Sequence, residues 1–200
     1  MPESIAEPIK NNPKTNIEYN RVNLRTENVV GSVDLGISLD LEKLLILFKD
    51  IEKKDNFPGL IVKINIPKAT ILLFKSGKLV ITGVKSTKNF PVVLSKILRR
   101  LHSVNINIEG NPEIKIENIV FRGDFFCNIN LDLASIHLNR AVYEPEVFPG
   151  LIYRVQNSSI CFLIFSSGKI ICTGGKKEEE IKEEVRKLGK ILKKNHVLKS

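Results

Sequence analysis

The chain contains itself twice. Phe57-Pro58-Gly59-Leu60 returns as Phe148-Pro149-Gly150-Leu151, Phe74-Lys75-Ser76-Gly77-Lys78 as Phe165-Ser166-Ser167-Gly168-Lys169, and Thr82-Gly83 as Thr173-Gly174, all at one spacing of 91 residues. Upstream, Glu27-Asn28-Val29-Val30 matches Glu117-Asn118-Ile119-Val120 at a spacing of 90, and Leu39-Asp40-Leu41 matches Leu131-Asp132-Leu133 at 92, which places short insertions in loops. Two copies of so long a unit make a duplicated domain rather than a solenoid, and they predict a pseudo-twofold axis. Gly110-Asn111-Pro112 marks the junction, so one repeat spans 19–110 and the other 111–200. Residues 1–18, with Pro2, Pro8, Pro13 and paired Asn, are expected to form a flexible tail.

Each copy predicts the same order of elements. A strand (22–33; 114–123) leads to a helix opening at Ser38 or Asp40, in which Leu41, Leu44, Leu45 and Phe48 recur at helical spacing. Three strands follow, in the first copy 60–66, 69–74 and 78–83, with tight turns at Pro67-Lys68 and Ser76-Gly77. A longer helix closes the unit. Ser86 caps it in the first copy, and in the second Ile181, Val185, Leu188 and Leu192 share one face. Glu178 with Lys182 and Glu183 with Lys187 are i, i+4 pairs on its solvated face. The fold class is α+β, built from two tandem pseudo-symmetric repeats.

Two helices per unit cover one face of an antiparallel sheet and leave the other open, where polar residues belong. The strands do not comply. Ile71 and Leu73 point to one side while Leu72 and Phe74 point to the other; Leu79 and Ile81 oppose Val80 and Thr82. In the second copy Leu163, Phe165, Ile171 and Thr173 make the matching second set. A large uncovered apolar face is an interaction surface. A buried sandwich or a homodimer interface is the plainest occupant of such a face, and three features point instead to nucleic acid. Lys63, Lys68, Lys78, Arg154 and Lys169 stand at strand edges and turns around it. Asn28, Thr82, Asn118 and Thr173 place isolated polar groups in matching positions. Phe57, Phe74, Phe148 and Phe165 set four aromatic rings at symmetric ends of the sheet. Apolar surface, a few hydrogen-bonding groups, aromatic wedges and a basic rim suit a widened minor groove.

The net charge of +9 agrees with a polyanionic partner. Other classes are disfavoured. Cys127, Cys161 and Cys172 show no paired spacing and read as reduced core thiols, and scattered His102, His137 and His196 give no zinc pattern. No P-loop, GxSxG, HExxH or paired-carboxylate signature appears, so neither catalysis nor a cofactor or metal is expected. No apolar run approaches the ~20 residues of a membrane span, and the first residues lack a secretory core, so the protein is expected to be soluble and inside the cell.

From about Tyr19 to Leu192 the chain resembles the TATA-binding protein family of archaeal and eukaryotic transcription initiation. The motifs that carry the resemblance are Glu27-Asn28-Val29-Val30, Leu39-Asp40-Leu41-Glu42-Lys43, Phe57-Pro58-Gly59-Leu60, Ser76-Gly77-Lys78, Thr82-Gly83, and the run from Tyr143-Glu144-Pro145-Glu146 through Val147 and Phe148-Pro149-Gly150-Leu151 to Ile152-Tyr153-Arg154. It implies a saddle: a curved ten-stranded antiparallel sheet with four helices on its convex side. It also implies a general transcription factor that binds the TATA box, kinks it and nucleates the preinitiation complex, a mode of minor-groove binding of which this family is itself a known instance. Phe57 with Phe74, and Phe148 with Phe165, would wedge into opposite ends of the element. Asn28, Asn118, Thr82 and Thr173 would bond the central base pairs, with Val30, Val80, Val120, Ile171, Leu72 and Leu163 against sugar and base edges. Glu144 and Glu146 would meet basic residues of transcription factor B, ahead of the RNA polymerase machinery. A second copy is the alternative occupant of the face when DNA is absent, as a weak homodimer. The cellular place implied is a eukaryotic nucleus or an archaeal cytoplasm and nucleoid. The alternative function is a diverged paralogue that mainly binds regulatory proteins, against which the four Phe and both Asn–Thr pairs argue. Two departures from the family pattern stand out. Glu27 and Glu117 occupy positions where many members have Gln and would weaken phosphate contacts, and Ser159 stands where a basic residue is common.

Overall fold

Alternating and helical spacings of apolar residues sort the chain, whose computed structural model describes residues 22–199, into two similar halves. The tail expected at 1–18 lies outside the described residues. The first half runs β1 (Asn23–Asp34), α1 (Leu41–Leu47), β2 (Ile51–Lys53), β3 (Gly59–Ile64), β4 (Ala69–Phe74), β5 (Lys78–Val84) and α2 (Phe90–His102). The second runs β6 (Ile114–Asp124), β7 (Asn128–Ile129), α3 (Leu131–His137), β8 (Ala141–Val142), β9 (Gly150–Arg154), β10 (Cys161–Phe165), β11 (Lys169–Gly175), α4 (Glu178–Lys194) and β12 (Leu198–Lys199). The short helices start where a side chain satisfies a free backbone donor: Asp40 accepts from the Lys43 N–H at 3.0 Å, and Asn130 from the Leu133 N–H at 3.2 Å. Ser86 caps a 3₁₀ turn, Thr87–Asn89, that precedes α2, not the α-helix itself. In α4, three glutamates in the first turn and Lys193 and Lys194 in the last match the helix dipole.

Ten strands form one sheet in the order β2-β3-β4-β5-β1-β6-β11-β10-β9-β8. All neighbours are antiparallel, and β12 pairs separately with β7. The long central strands β1 and β6 join the halves. Val29 faces Ile119 between the pairs Asn28–Val120 and Val30–Asn118, so the pseudo-twofold axis passes through the Val29–Ile119 pair. Register shifts between Thr26 and Asn28 and between Val30 and Gly31 mark bulges, which bend and twist the strand.

The structure corrects further expectations about the elements. Each half has a short edge strand, β2 or β8, between its first helix and the three predicted strands. The spacing of 92 is not the structural one: Asp40 and Asn130 are the equivalent caps, and Leu44 and Ala134 the equivalent buried residues, at 90. The spacing changes to 91 in the loop before Phe148, where Val147 is the added residue; Phe57 bonds back to the Lys54 carbonyl, but Phe148 reaches one residue further, to Glu144. Finally, the ion pairs of α4 are mainly i, i+3: Lys187 bonds Glu184 at 2.7 Å and Arg186 meets Glu183 at 3.3 Å, while Lys182 reaches Glu179 at 2.7 Å and Glu178 only at 3.8 Å.

One face of the sheet is sealed. Ile71, Leu73, Leu79, Ile81, Phe162, Ile164 and Ile170 are fully buried together with Val93, Ile97 and Leu101 of α2 and Ile181, Val185, Leu188 and Leu192 of α4. Phe162 also stacks on Tyr153 at 6.0 Å between ring centroids. Replacing it removes a fully buried ring from an apolar core. Phe162→Ala is therefore expected to lower unfolding free energy in urea by about 3–5 kcal/mol, whereas Phe165→Ala, from the opposite face, loses about 1 kcal/mol with its edge contact.

Candidate nucleic-acid interface

On the other face no helix lies among the described residues. Cross-strand register builds it row by row: Ile61, Leu72 and Val80 align across β3, β4 and β5, and Ile152, Leu163 and Ile171 across β9, β10 and β11. Val30 and Val120 fill its centre. All of these are half-buried, a state apolar side chains reach when neighbours pack their flanks and their tips stay open.

Two identical polar constellations interrupt the apolar floor. The Asn28 Oδ1 accepts from the Gly83 N–H at 2.8 Å, while its Nδ2 donates to Thr82 Oγ1 at 3.2 Å. Across the axis, Asn118 Oδ1 accepts from the Gly174 N–H at 2.8 Å and its Nδ2 donates to Thr173 Oγ1 at 3.1 Å. Gly83 and Gly174 have φ of +81° and +93°, a left-handed backbone that side chains disfavour, which is why Gly follows Thr in both copies. The backbone amide fixes the amide plane of each Asn, oxygen inward. Each Nδ2 keeps a second hydrogen for an outside acceptor, and the minor groove of A·T pairs presents acceptors without the guanine amino group.

The aromatic pairs stand at the two ends. Phe57 and Phe74 meet edge to face at 5.6 Å, and Phe148 and Phe165 at 6.0 Å. Glycine makes the room: a Cβ on Gly59 would lie 3.0 Å from the Phe57 ring and 3.3 Å from that of Phe74, and one on Gly150 2.8 Å from Phe148 and 3.1 Å from Phe165. The repeated Phe-Pro-Gly-Leu is thus a mount for a half-buried ring pair, whose free edges can enter between base steps.

The cations are exposed, with different freedom. Lys63 and Arg154 are equivalent by register, yet Lys63 is held by Glu52 on β2, while Arg154 lies 3.7 Å from the Cys161 Sγ. Lys78 and Lys169 begin β5 and β11 in line with Val80 and Ile171, and Lys68 sits in the turn before β4. Ser159, the counterpart of Lys68, donates to the Gly174 carbonyl at 2.6 Å. The two carboxylates at odds with a polyanion are compensated. Glu27 pairs with Arg25 at 2.8 Å and Lys85 at 3.5 Å, and against the upward push of burial these cations hold its carboxyl below the usual range. Glu117 is held low by the Ser32 hydroxyl, which donates at 2.7 Å, and by Lys176 at 3.2 Å.

Only Cys172 is a core thiol, pushed by burial up to about 12; Cys161 lies half-buried on the open face, opposite Thr173, and Cys127 is half-buried in a loop. Cys161, Ser32 and Arg122 are face residues that the sequence reading missed. Period-two counting from Leu163, Val30 and Val120 finds each of them. Glu144 and Glu146 are exposed on the β8–β9 loop beside Val147, which is 80% exposed. Among the described residues no group of three or more His, Cys, Asp or Glu side chains gathers to hold a metal ion.

The comparisons with known proteins agree in kind. The family model described as transcription factor TFIID, or TATA-binding protein, matches residues 23–104 and again 113–195. The chain is 43% identical over 183 residues to the TATA-box-binding protein of Pyrococcus furiosus, covering 91% of this chain and 96% of that one. It is 45% identical over 168 residues to that of Thermococcus sibiricus, covering 84% and 91%. The solved structure of Methanococcus jannaschii TBP superposes with a TM-score of 0.78 at 37% identity, covering 86% of this chain and 98% of that one.

Asn118→Asp keeps an oxygen for the Gly174 amide and replaces the outward donor with a charge of the wrong sign. It is expected to weaken binding to an A·T-rich duplex by about 10- to 100-fold, or about 1–3 kcal/mol, in fluorescence anisotropy, with an unchanged circular dichroism spectrum.

Proposed function

The chain belongs to the TATA-binding protein family of non-enzymatic DNA-binding transcription factors, and on that premise we propose that its open sheet face seats the minor groove of a TATA element. The observation that carries this reading is the pair of Asn–Thr–Gly constellations related by the β1–β6 axis and flanked by two edge-to-face Phe pairs. The Asn amides donate to the central base pairs. Phe57 with Phe74 and Phe148 with Phe165 unstack the end steps and kink the duplex, a family mode already known. Selection follows from groove fit and from the low cost of deforming TA steps. The protein acts where its promoters lie, in the nucleoid if its host is archaeal like the relatives above.

Assembly follows on the second-half loop. Exposed Glu144 and Glu146, with exposed Val147, offer an acidic and apolar contact to a basic surface of transcription factor B, from which the polymerase is recruited. A charge pair across an interface sets partner choice.

Gel-shift titration tests the DNA reading. Binding to a TATA duplex is expected to be tighter than to a G·C-substituted one and to weaken with salt; equal affinity for both across a salt series would contradict it. The Phe57→Ala, Phe148→Ala double variant should bend end-labelled TATA DNA less in energy-transfer measurements. Glu144→Arg with Glu146→Arg should keep TATA binding and lose the ternary complex with transcription factor B; a normal ternary band removes the partner assignment.

A further inference from the structure

Arg122 stands on the open face at a place where the free protein gains nothing from it. It follows Asn118 and Val120 at period two on β6, and its cross-strand neighbours are Arg25 on β1 and Ile171 on β11. Side chains directly opposite on adjacent strands have Cβ atoms about 4.5–5.5 Å apart, and like charges in that position repel. Glu27 relieves Arg25 and shares its carboxylate with Lys85. Arg122 is exposed and has no ion pair or hydrogen bond among the described residues.

The other half solves the same corner differently. Ser32 is the counterpart of Arg122, and it faces Lys115. Its hydroxyl donates to Glu117, which also meets Lys115 at 3.7 Å and Lys176 at 3.2 Å. One corner therefore holds two cations to one carboxylate. The corner of Arg122 holds three, with Lys85, Arg25 and Arg122 against Glu27 alone.

We propose that Arg122 is a phosphate-binding residue unique to the second half of the face, which forms with Arg25 a two-arginine clamp on one DNA backbone beside the central base pairs. The proposal rests on the DNA-binding reading above. Bound phosphate removes the repulsion between the two guanidinium groups, and the planar fork of arginine fits phosphate oxygens. The clamp lies in the row of Ile171, beside the Asn constellations and away from the Phe pairs. It adds affinity and salt dependence without reading sequence, and the saddle grips the two flanks of its site unequally.

The test compares the full chain with Arg122→Ser, the residue used by its own first half, and with Arg122→Lys, on TATA and G·C-substituted duplexes over a salt series. The slope of log affinity against log salt is expected to shrink by about 0.9 in Arg122→Ser, the value of one phosphate contact. Arg122→Lys keeps most of that slope, and the TATA preference of both variants equals that of the parent. The thermal midpoint of free Arg122→Ser does not fall, because a like-charge pair has been removed. Arg122→Gln gives the same loss of slope and serves if the serine variant does not fold. A slope equal to the parent's in the serine or glutamine variant overturns the assignment. A parent protein that fails to prefer the TATA duplex overturns the DNA reading instead, before any variant is compared.

Discussion

The antiparallel pairing of β1 with β6 is the contact on which the rest depends. It joins two half-sheets that would each end in an open edge, and it does so along ten residue pairs centred on Val29 and Ile119. Among the described residues one continuous sheet results, with four helices, the long ones covering one of its faces. The same pairing brings Asn28 and Asn118 together at the centre, although they are remote in the chain, and sends the Phe pairs to the far ends. Site and fold are thus one construction: the seam that stabilises the sheet also sets the spacing of the groups proposed to meet DNA.

Symmetry explains the floor of the face, and its breaking lies mainly in the charged residues around it. Asn, Thr, Gly and Phe keep the same geometry in both halves to within a few tenths of an ångström. The charged residues do not. Lys63 is neutralised by Glu52 whereas Arg154 has a thiol neighbour, Lys68 is replaced by Ser159, and Ser32 by Arg122. A duplex has identical phosphates on both flanks, so the proposed DNA complex would be gripped unequally at its two ends. The inserted Val147 adds a fourth inequality, in the loop that carries Glu144 and Glu146.

Much of this was legible in the chain because it depends on local period. The buried stripe of α4, the two-faced strands and the positions of Phe57, Phe74, Phe148 and Phe165 follow from spacing alone. Edge strands β2 and β8 were not legible, since two or three residues show no alternation. The match of Leu39-Asp40-Leu41 to Leu131-Asp132-Leu133 misled because identity of letters competes with identity of role: Asn130 caps its helix as Asp40 does. Compensation of Glu27 and Glu117 was hidden for another reason. Their partners Lys85 and Lys176 lie 58 and 59 residues away and meet them only through strand register. Arg122 and Cys161 lie within reach of period-two counting, two residues from Val120 and Leu163 on their strands.

The most direct test is a crystal structure of the full chain with a duplex containing a TATA element. The DNA is expected in the open face, with the Nδ2 atoms of Asn28 and Asn118 about 3 Å from adenine N3 or thymine O2 acceptors at the centre. Each Phe pair is expected against an unstacked step at either end. DNA bound along the helices, or an open face filled by a second copy of the chain while the duplex lies elsewhere, would contradict this placement.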